Sequence, residues 1–308
     1  MRAMRAVMVL SENWTLAAAT DLDAVVRMAE VAEAAGVDTV MLSEHIVLGP
    51  SAGDRGRMTN PRDYAAPGNQ DPDTPWPDSI VLASAIAART TRLRVALAAI
   101  ITPLRHPLQV AKQLGTLDLL ARGRLVVQPT VSWSDEEYAA LGVPFHERGA
   151  ILDEQLAAMR AAWTQAPAHH AGERFAFGPV WCSPRPFTPG GPQMWFGGER
   201  LSPVHIRRIV QYGHGFHPFG SPTEDELAAL RAALAAAGRD LAEIEMVGGI
   251  RGTFHGADDV ADLALALERV PSLREAGYTS VCFKPNHFTD DIEMVGDVCR
   301  DVVRALTV

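Results

Sequence analysis

Short apolar runs alternate with helix-period stretches eight times along this chain, and that rhythm constrains the fold more than any single motif. The apolar runs are residues 3–10, 39–43, 93–101, 124–127, 193–196, 215–217, 244–247 and 280–284. The helix-period stretches are 22–35, 78–88, 107–120, 149–163, 202–212, 223–237, one within 258–276, and 290–306. Thr39-Val40-Met41-Leu42 carries no polar alternation, as expected of a strand buried on both faces of a parallel sheet. Helix punctuation agrees with the period. Asp21 precedes the first helix and Gly36 follows it, Pro107 and Ser202-Pro203 open later ones, and Thr223 to Glu226 reads as a capping box. Eight strand–helix units predict a (β/α)8 TIM barrel, a single α/β domain over residues 1–308. Two segments without period, 46–77 and 166–192, are rich in proline and aromatics. They are predicted to be insertions after strands 2 and 4, the second with room for a hairpin. An open doubly wound sheet is the alternative, and it would lack the G-x-G-x-x-G turn after its first strand.

Composition narrows the partners. Hydrophobic residues make up 47% of the chain, so core material is ample, and a net charge of -9 argues against nucleic acid as the main ligand. No apolar run approaches the ~20 residues of a membrane span. Cys182, Cys282 and Cys299 are odd in number and widely spaced, which suits neither a disulfide framework nor a metal pattern. The first ten residues turn polar too soon for a signal peptide. A cytoplasmic protein without nucleic-acid or membrane partners is the expectation.

Chemistry is expected where strands end, because ligands of parallel α/β folds sit at the carboxyl ends. The second strand ends in Glu44-His45, an acid beside an imidazole that can exchange a proton near neutral pH. Two ordinary polar residues closing a strand would look the same. His106, after the third strand, is a candidate substrate contact or a helix-entry residue. Arg251 and Lys284 follow the seventh and eighth strands, where barrels often bind phosphate, and Lys284 is one of only two lysines. His169-His170 lacks the further ligands a metal needs. Glu136-Glu137 reads as charge at a helix start. Trp133, Trp181 and Trp195 could line a pocket or simply pack.

Four stretches together carry a resemblance: GVDTVMLSEH (36–45), ARTTRLRVALAAIITPLRHPLQVAKQLGTLDLLARGRL (88–125), EYAALGVPFHERGAILDEQLAAMRAAW (137–163) and QMWFGGE (193–199). The sequence resembles the luciferase-like monooxygenase superfamily, especially its coenzyme F-420-dependent branch. The resemblance implies a flavin- or deazaflavin-dependent oxidoreductase or monooxygenase. It would bind F-420, or alternatively FMN, at the barrel mouth and act on a small organic substrate as a homodimer. Catalytic roles fall on His45 and Glu44, the acid contacting the cofactor and orienting the imidazole. Ala99-Ile100 matches a non-prolyl cis kink behind the ring, with Thr102 beside it. Gly197-Gly198 matches the approach to the cofactor's tail, where a missing Cβ permits close contact. Val131, Ser132 and Trp133 match the cofactor-contacting turn after the fourth strand, with Trp133 also facing substrate.

That turn departs from the family. The usual Gly-x-Gly-x-Gly-Trp reads Gln128-Pro129-Thr130-Val131-Ser132-Trp133 here, so all three glycines are replaced. Some deazaflavin-dependent relatives carry a catalytic glutamate where Trp133 stands, and that role does not transfer. The departure motivates the alternative of a non-catalytic barrel with a degenerate cofactor site that binds a ligand. The insertion 46–77 leaves the second strand directly after His45 and carries Met58, Tyr64 and Trp76. It is expected to act as a lid that excludes water, with 166–192 as a side wall.

Overall fold

In the computed structural model, which describes residues 3–218 and 220–307, eight parallel strands close into a barrel. The chain runs β1 (Arg5–Val9), α1 (Leu22–Ala34), β2 (Thr39–Leu42), α2 (Ser79–Arg89), β3 (Arg94–Ile100), α3 (Pro107–Ala121) and β4 (Leu125–Pro129). It continues through α4 (Asp135–Ala140), α5 (Arg148–Thr164), β5 (Ala168–Ala171), β6 (Ala176–Val180), β7 (Gln193–Phe196), α6 (Pro203–Tyr212) and β8 (Gly215–Phe216). It ends with α7 (Glu224–Ala236), β9 (Glu245–Gly249), α8 (Leu263–Leu267), α9 (Val270–Glu275), β10 (Ser280–Phe283) and α10 (Val295–Thr307). Around the barrel the order is β1-β10-β9-β8-β7-β4-β3-β2, while β5 and β6 pair as an antiparallel hairpin outside it.

Both faces of each barrel strand are buried, which is why the strands read as unbroken apolar runs. Outward residues such as Ala6, Met8, Val40 and Val95 pack with the helices. Inward residues form a second core: Val7, Val9, Met41, Ala96, Ala98, Val126, Trp195, Val247 and Cys282. Small Ala96 and Ala98 leave volume for the indole of Trp195, which is 0% exposed. The floor is ionic. Arg94 donates to Asp38 at 2.7 Å and, with both terminal nitrogens, to Glu245 at 2.8 Å, and Ser280 Oγ also donates to Glu245. Tyr64, from the loop between β2 and α2, packs onto the inner core from the opposite end. The barrel is therefore a filled core whose functional face is the mouth at the strands' carboxyl ends.

Several boundaries differ from the sequence reading for local reasons. The stretch 258–276 forms two short helices, because Pro271 cannot donate into a continuous ladder. The last helix starts at Val295, after a 3-10 turn at Ile292–Met294 that Asp291 caps. The cis peptide is Ala98–Ala99, one bond earlier than expected, and the β3–β4 register shifts there. Ser202 flanks its helix as expected but makes no side-chain cap, its hydroxyl lying 2.8 Å from His205 Nδ1 instead. The Thr223 capping box forms as read.

Candidate active site at the barrel mouth

The end of β2 splits its two polar residues between two jobs. Successive residues of an extended chain point opposite ways, so Glu44 and His45 cannot share a direction. Glu44 keeps the outward, helix-facing side of Val40 and Leu42 and is 5% exposed. Its carboxylate accepts from Ser79 Oγ (2.6 Å), Ile101 N (2.9 Å), Arg105 Nη1 (2.7 Å) and Arg105 Nη2 (3.1 Å). Those bonds tie the ends of β2 and β3 to the start of α2. The expectation that Glu44 orients His45 is corrected here, since its oxygens are committed to these donors.

The carboxylate at His45 is Glu137. It comes from the first turn of α4, where Ser134 caps the helix by accepting from Glu137 N. The side chain is fully buried and turns back to the root of the 46–77 loop. Its Oε1 accepts from Ile46 N (2.6 Å) and Val47 N (3.4 Å), and its Oε2 lies 3.4 Å from His45 Nδ1 and 3.3 Å from Ser132 Oγ. An ionised carboxylate only accepts, so this contact assigns the imidazole proton to Nδ1 and leaves Nε2 as the basic nitrogen. Glu136 works alongside, accepting from Ser51 N and Oγ. The acids expected to charge a helix start do occupy that first turn, and their carboxylates also clamp the loop beside His45.

Two indoles hold the imidazole edge-on. Trp133 and Trp76 each lie 5.4 Å from the His45 ring, centroid to centroid, at 73° and 69°. Trp14 meets Trp76 at 5.5 Å. Ser132 holds a left-handed φ of 57°, so the turn keeps a backbone shape that favours glycine after glycine is gone. Val131 accepts from the buried Tyr138 hydroxyl at 2.7 Å through its carbonyl. Ala99 is half-buried and Ile100 fully buried. Thr102 is fully buried with an unpartnered Oγ1.

Other expected contacts lie elsewhere. His106 is the N-cap of α3, its Nδ1 accepting from Leu108 N at 3.3 Å, and its ring faces Phe175 of the loop joining β5 and β6. The helix-entry role read for it is therefore filled, and its ring packs on the hairpin loop. Gly197 and Gly198 are closely approached by the chain itself. A Cβ on Gly197 would meet the His217 carbonyl at 2.3 Å and the Gln128 amide nitrogen at 2.5 Å, and one on Gly198 would meet the His205 ring at 2.7 Å. Gln128, standing at a family glycine position, thus fills the recess expected for the cofactor's tail. Its Oε1 lies 3.1 Å from Nδ1 of His217, whose burial pushes it down to about 4. Lys284 and Arg251 do flank the mouth, but Lys284 is 0% exposed beneath the 46–77 loop.

Whether a flavin-like ring suits this mouth can be read from its polar atoms. Buried Thr102 Oγ1 and Asn286 Oδ1 lack hydrogen-bond partners among the described residues, and buried polar atoms are normally paired. They suit a flat ring with polar edges.

A parallel barrel with a carboxylate-paired imidazole at its mouth is an enzyme-type architecture. The profile of the luciferase-like monooxygenase family matches residues 4–280, and the chain belongs to that family. An uncharacterized protein of Mycobacterium tuberculosis is 36% identical over 169 residues, 54% of this chain and 57% of that relative. The FMNH(2)-dependent dimethylsulfone monooxygenase of Pseudomonas putida is 30% identical over 125 residues, covering 40% and 34%. Among solved structures, a monooxygenase from Streptomyces bottropensis superposes with a TM-score of 0.76 at 20% identity over 98% of both chains. A coenzyme F420 dependent tetrahydromethanopterin reductase from Methanopyrus kandleri gives 0.69 at 13% identity over 99% of both. These structural likenesses concern the fold. Among the described residues, no helix is long and apolar enough to cross a membrane.

Proposed function

We propose that this protein is an oxidoreductase that uses reduced F-420, with FMN as the second choice, on a small organic substrate. The observation that carries the reading is His45, set between two indoles with its Nδ1 against a buried carboxylate. The reduced ring, when bound, supplies the hydride, or with FMN gives access to oxygen chemistry. His45 exchanges the accompanying proton through Nε2, and Glu137 keeps Nδ1–H in place and balances the imidazolium. Trp133, Trp76 and Thr102 line the side on which the ring would be held. The high alanine and arginine content and the branch resemblance favour F-420. Titrating the purified chain with each cofactor, oxidised and reduced, and following fluorescence tests the reading. Binding of one cofactor in the micromolar range is expected, with turnover lost in His45→Ala. Failure of both to bind below high micromolar concentration removes it.

The second reading, a non-catalytic barrel, draws on Gln128 in the Gly197 recess. It expects no cofactor binding by the wild type and recovery in Gln128→Gly. Cofactor-dependent turnover by the wild type that His45→Ala abolishes rejects it.

A further inference from the structure

We propose that Lys284, Arg251 and His287 form a recognition site for the acid group of the substrate, a singly charged oxyanion such as a carboxylate or sulfonate. The Arg62–Asp63 segment of the loop occupies that site in the structure. The proposal deepens the oxidoreductase reading and rests on it for the identity of the ligand as substrate.

Three donors from the strand ends converge on one two-residue segment. Lys284, directly after β10, donates from Nζ to the Asp63 carbonyl at 2.7 Å. Arg251, after β9, donates from Nη2 to Asp63 Oδ1 at 3.1 Å, its guanidinium 4.8 Å from the centre of the Tyr64 ring. His287 is fully buried between Tyr64 and Phe254, at ring separations of 5.0 and 5.3 Å. Its Nδ1 accepts from Gly252 N at 3.0 Å, so the neutral ring carries its proton on Nε2. Burial and the neighbouring ammonium of Lys284 keep that ring neutral, pushing it down to about 3. The Nε2–H finds no acceptor in good geometry, only a weak neighbour in the Arg62 carbonyl. An ammonium, a guanidinium and an imidazole N–H around three oxygens make the donor set that an oxyanion needs.

Loop anchorage alone does not account for this arrangement. The same loop is already fixed by Asn60 Nδ2, which donates to the Gly256 and Asp259 carbonyls, and by Arg62, which pairs with Asp290. A fully buried ammonium is an expensive way to hold a loop that cheaper bonds already hold. Burial pushes the Lys284 amine down to about 8 despite Glu12, whose Oε2 lies 3.8 Å away.

Charge selects the ligand. With the segment in place, Glu12 and Asp63 balance Lys284 and Arg251, and Arg62 is neutralised by Asp290. Displacing Asp63 leaves one net positive charge facing the mouth, which matches a monoanion better than a dianion or a neutral group. The site also connects to the reacting end. Lys284 Nζ lies 5.7 Å from the Trp14 ring, Trp14 meets Trp76, and Trp76 meets His45. An acid group held at β9 and β10 therefore shares one aromatic wall with His45.

Calorimetric titration of the full chain with benzoate, benzenesulfonate, phenyl phosphate and benzamide, without cofactor, tests the site. One or both monoanions are expected to bind, and to discriminate carboxylate from sulfonate. Asp63→Ala removes the carboxylate that competes for Arg251 from a half-exposed position, leaving the backbone carbonyl on Lys284, and tightens monoanion binding about tenfold, while Arg251→Ala weakens it about tenfold. Lys284→Met loses binding, with thermal melting reporting whether that variant is folded. Benzamide binding as tightly as benzoate overturns the proposal, as does unchanged monoanion affinity in Asp63→Ala or no monoanion binding by that variant. Tighter binding of phenyl phosphate overturns the single-charge assignment. Neither cofactor nor turnover enters, so failure of the cofactor titration and failure of this site are separate results.

Discussion

Replacing Glu44 by alanine leaves the Arg105 guanidinium buried without its carboxylate. The Arg105 side chain is 14% exposed, and Glu44 supplies two of its close acceptor oxygens, the Ile101 carbonyl at 3.2 Å being a third. The Ile101 N–H and the Ser79 hydroxyl lose their acceptor as well. Truncating one partner of a buried pair costs about 3–5 kcal/mol. Asp78 lies 3.8 Å from Arg105 and takes up part of the charge, which places the expected loss near the low end, about 3 kcal/mol. Glu44→Gln keeps the shape and an acceptor and should lose roughly half as much. Urea unfolding followed by far-UV circular dichroism measures both, with cofactor titration of the same variants. The reasoning is refuted if Glu44→Ala unfolds within about 1 kcal/mol of wild type while cofactor affinity collapses, since Glu44 would then be a binding residue and not a tie.

Glu137→Gln should lower turnover by up to about 10⁴-fold, the effect of losing a carboxylate that orients a catalytic imidazole. The double variant with His45→Ala should be no worse than His45→Ala alone; multiplicative losses would show that the two act independently. Acid stability should depend on His217, whose folded-state value is lowered from 6.5 to about 4 by burial. The unfolded chain then binds more protons between those values, so stability is full above about pH 6.5 and falls as pH drops toward 4, by roughly 3 kcal/mol at 1.36 kcal/mol per unit. Guanidinium unfolding of His217→Asn at pH 7 and pH 4.5 should show a shallower loss than wild type, and an identical loss counts against the assignment.

The barrel was legible in the sequence because its signals are local. Strand runs buried on both faces, helix periods and caps such as Asp21 and Thr223 each depend on residues within a few positions. The same locality placed His45 at the mouth, since a strand's end is visible in the chain. It could not say what His45 touches. Reading Glu44 as its partner took adjacency in sequence for adjacency in space, and the alternating directions of an extended backbone reverse that inference.

The sequence by itself determined the fold, the family and the acid–imidazole dipeptide at the end of β2. Only the closed structure decided the pairings. Glu137 reaches His45 across 92 positions, Gln128 reaches His217 across 89, and Lys284 reaches Asp63 across 221. Each contact exists because barrel closure gathers strand ends and loop roots from distant parts of the chain onto one small mouth. There burial removes the competing water, and a carboxylate or ammonium must take whichever partner the closure sets beside it.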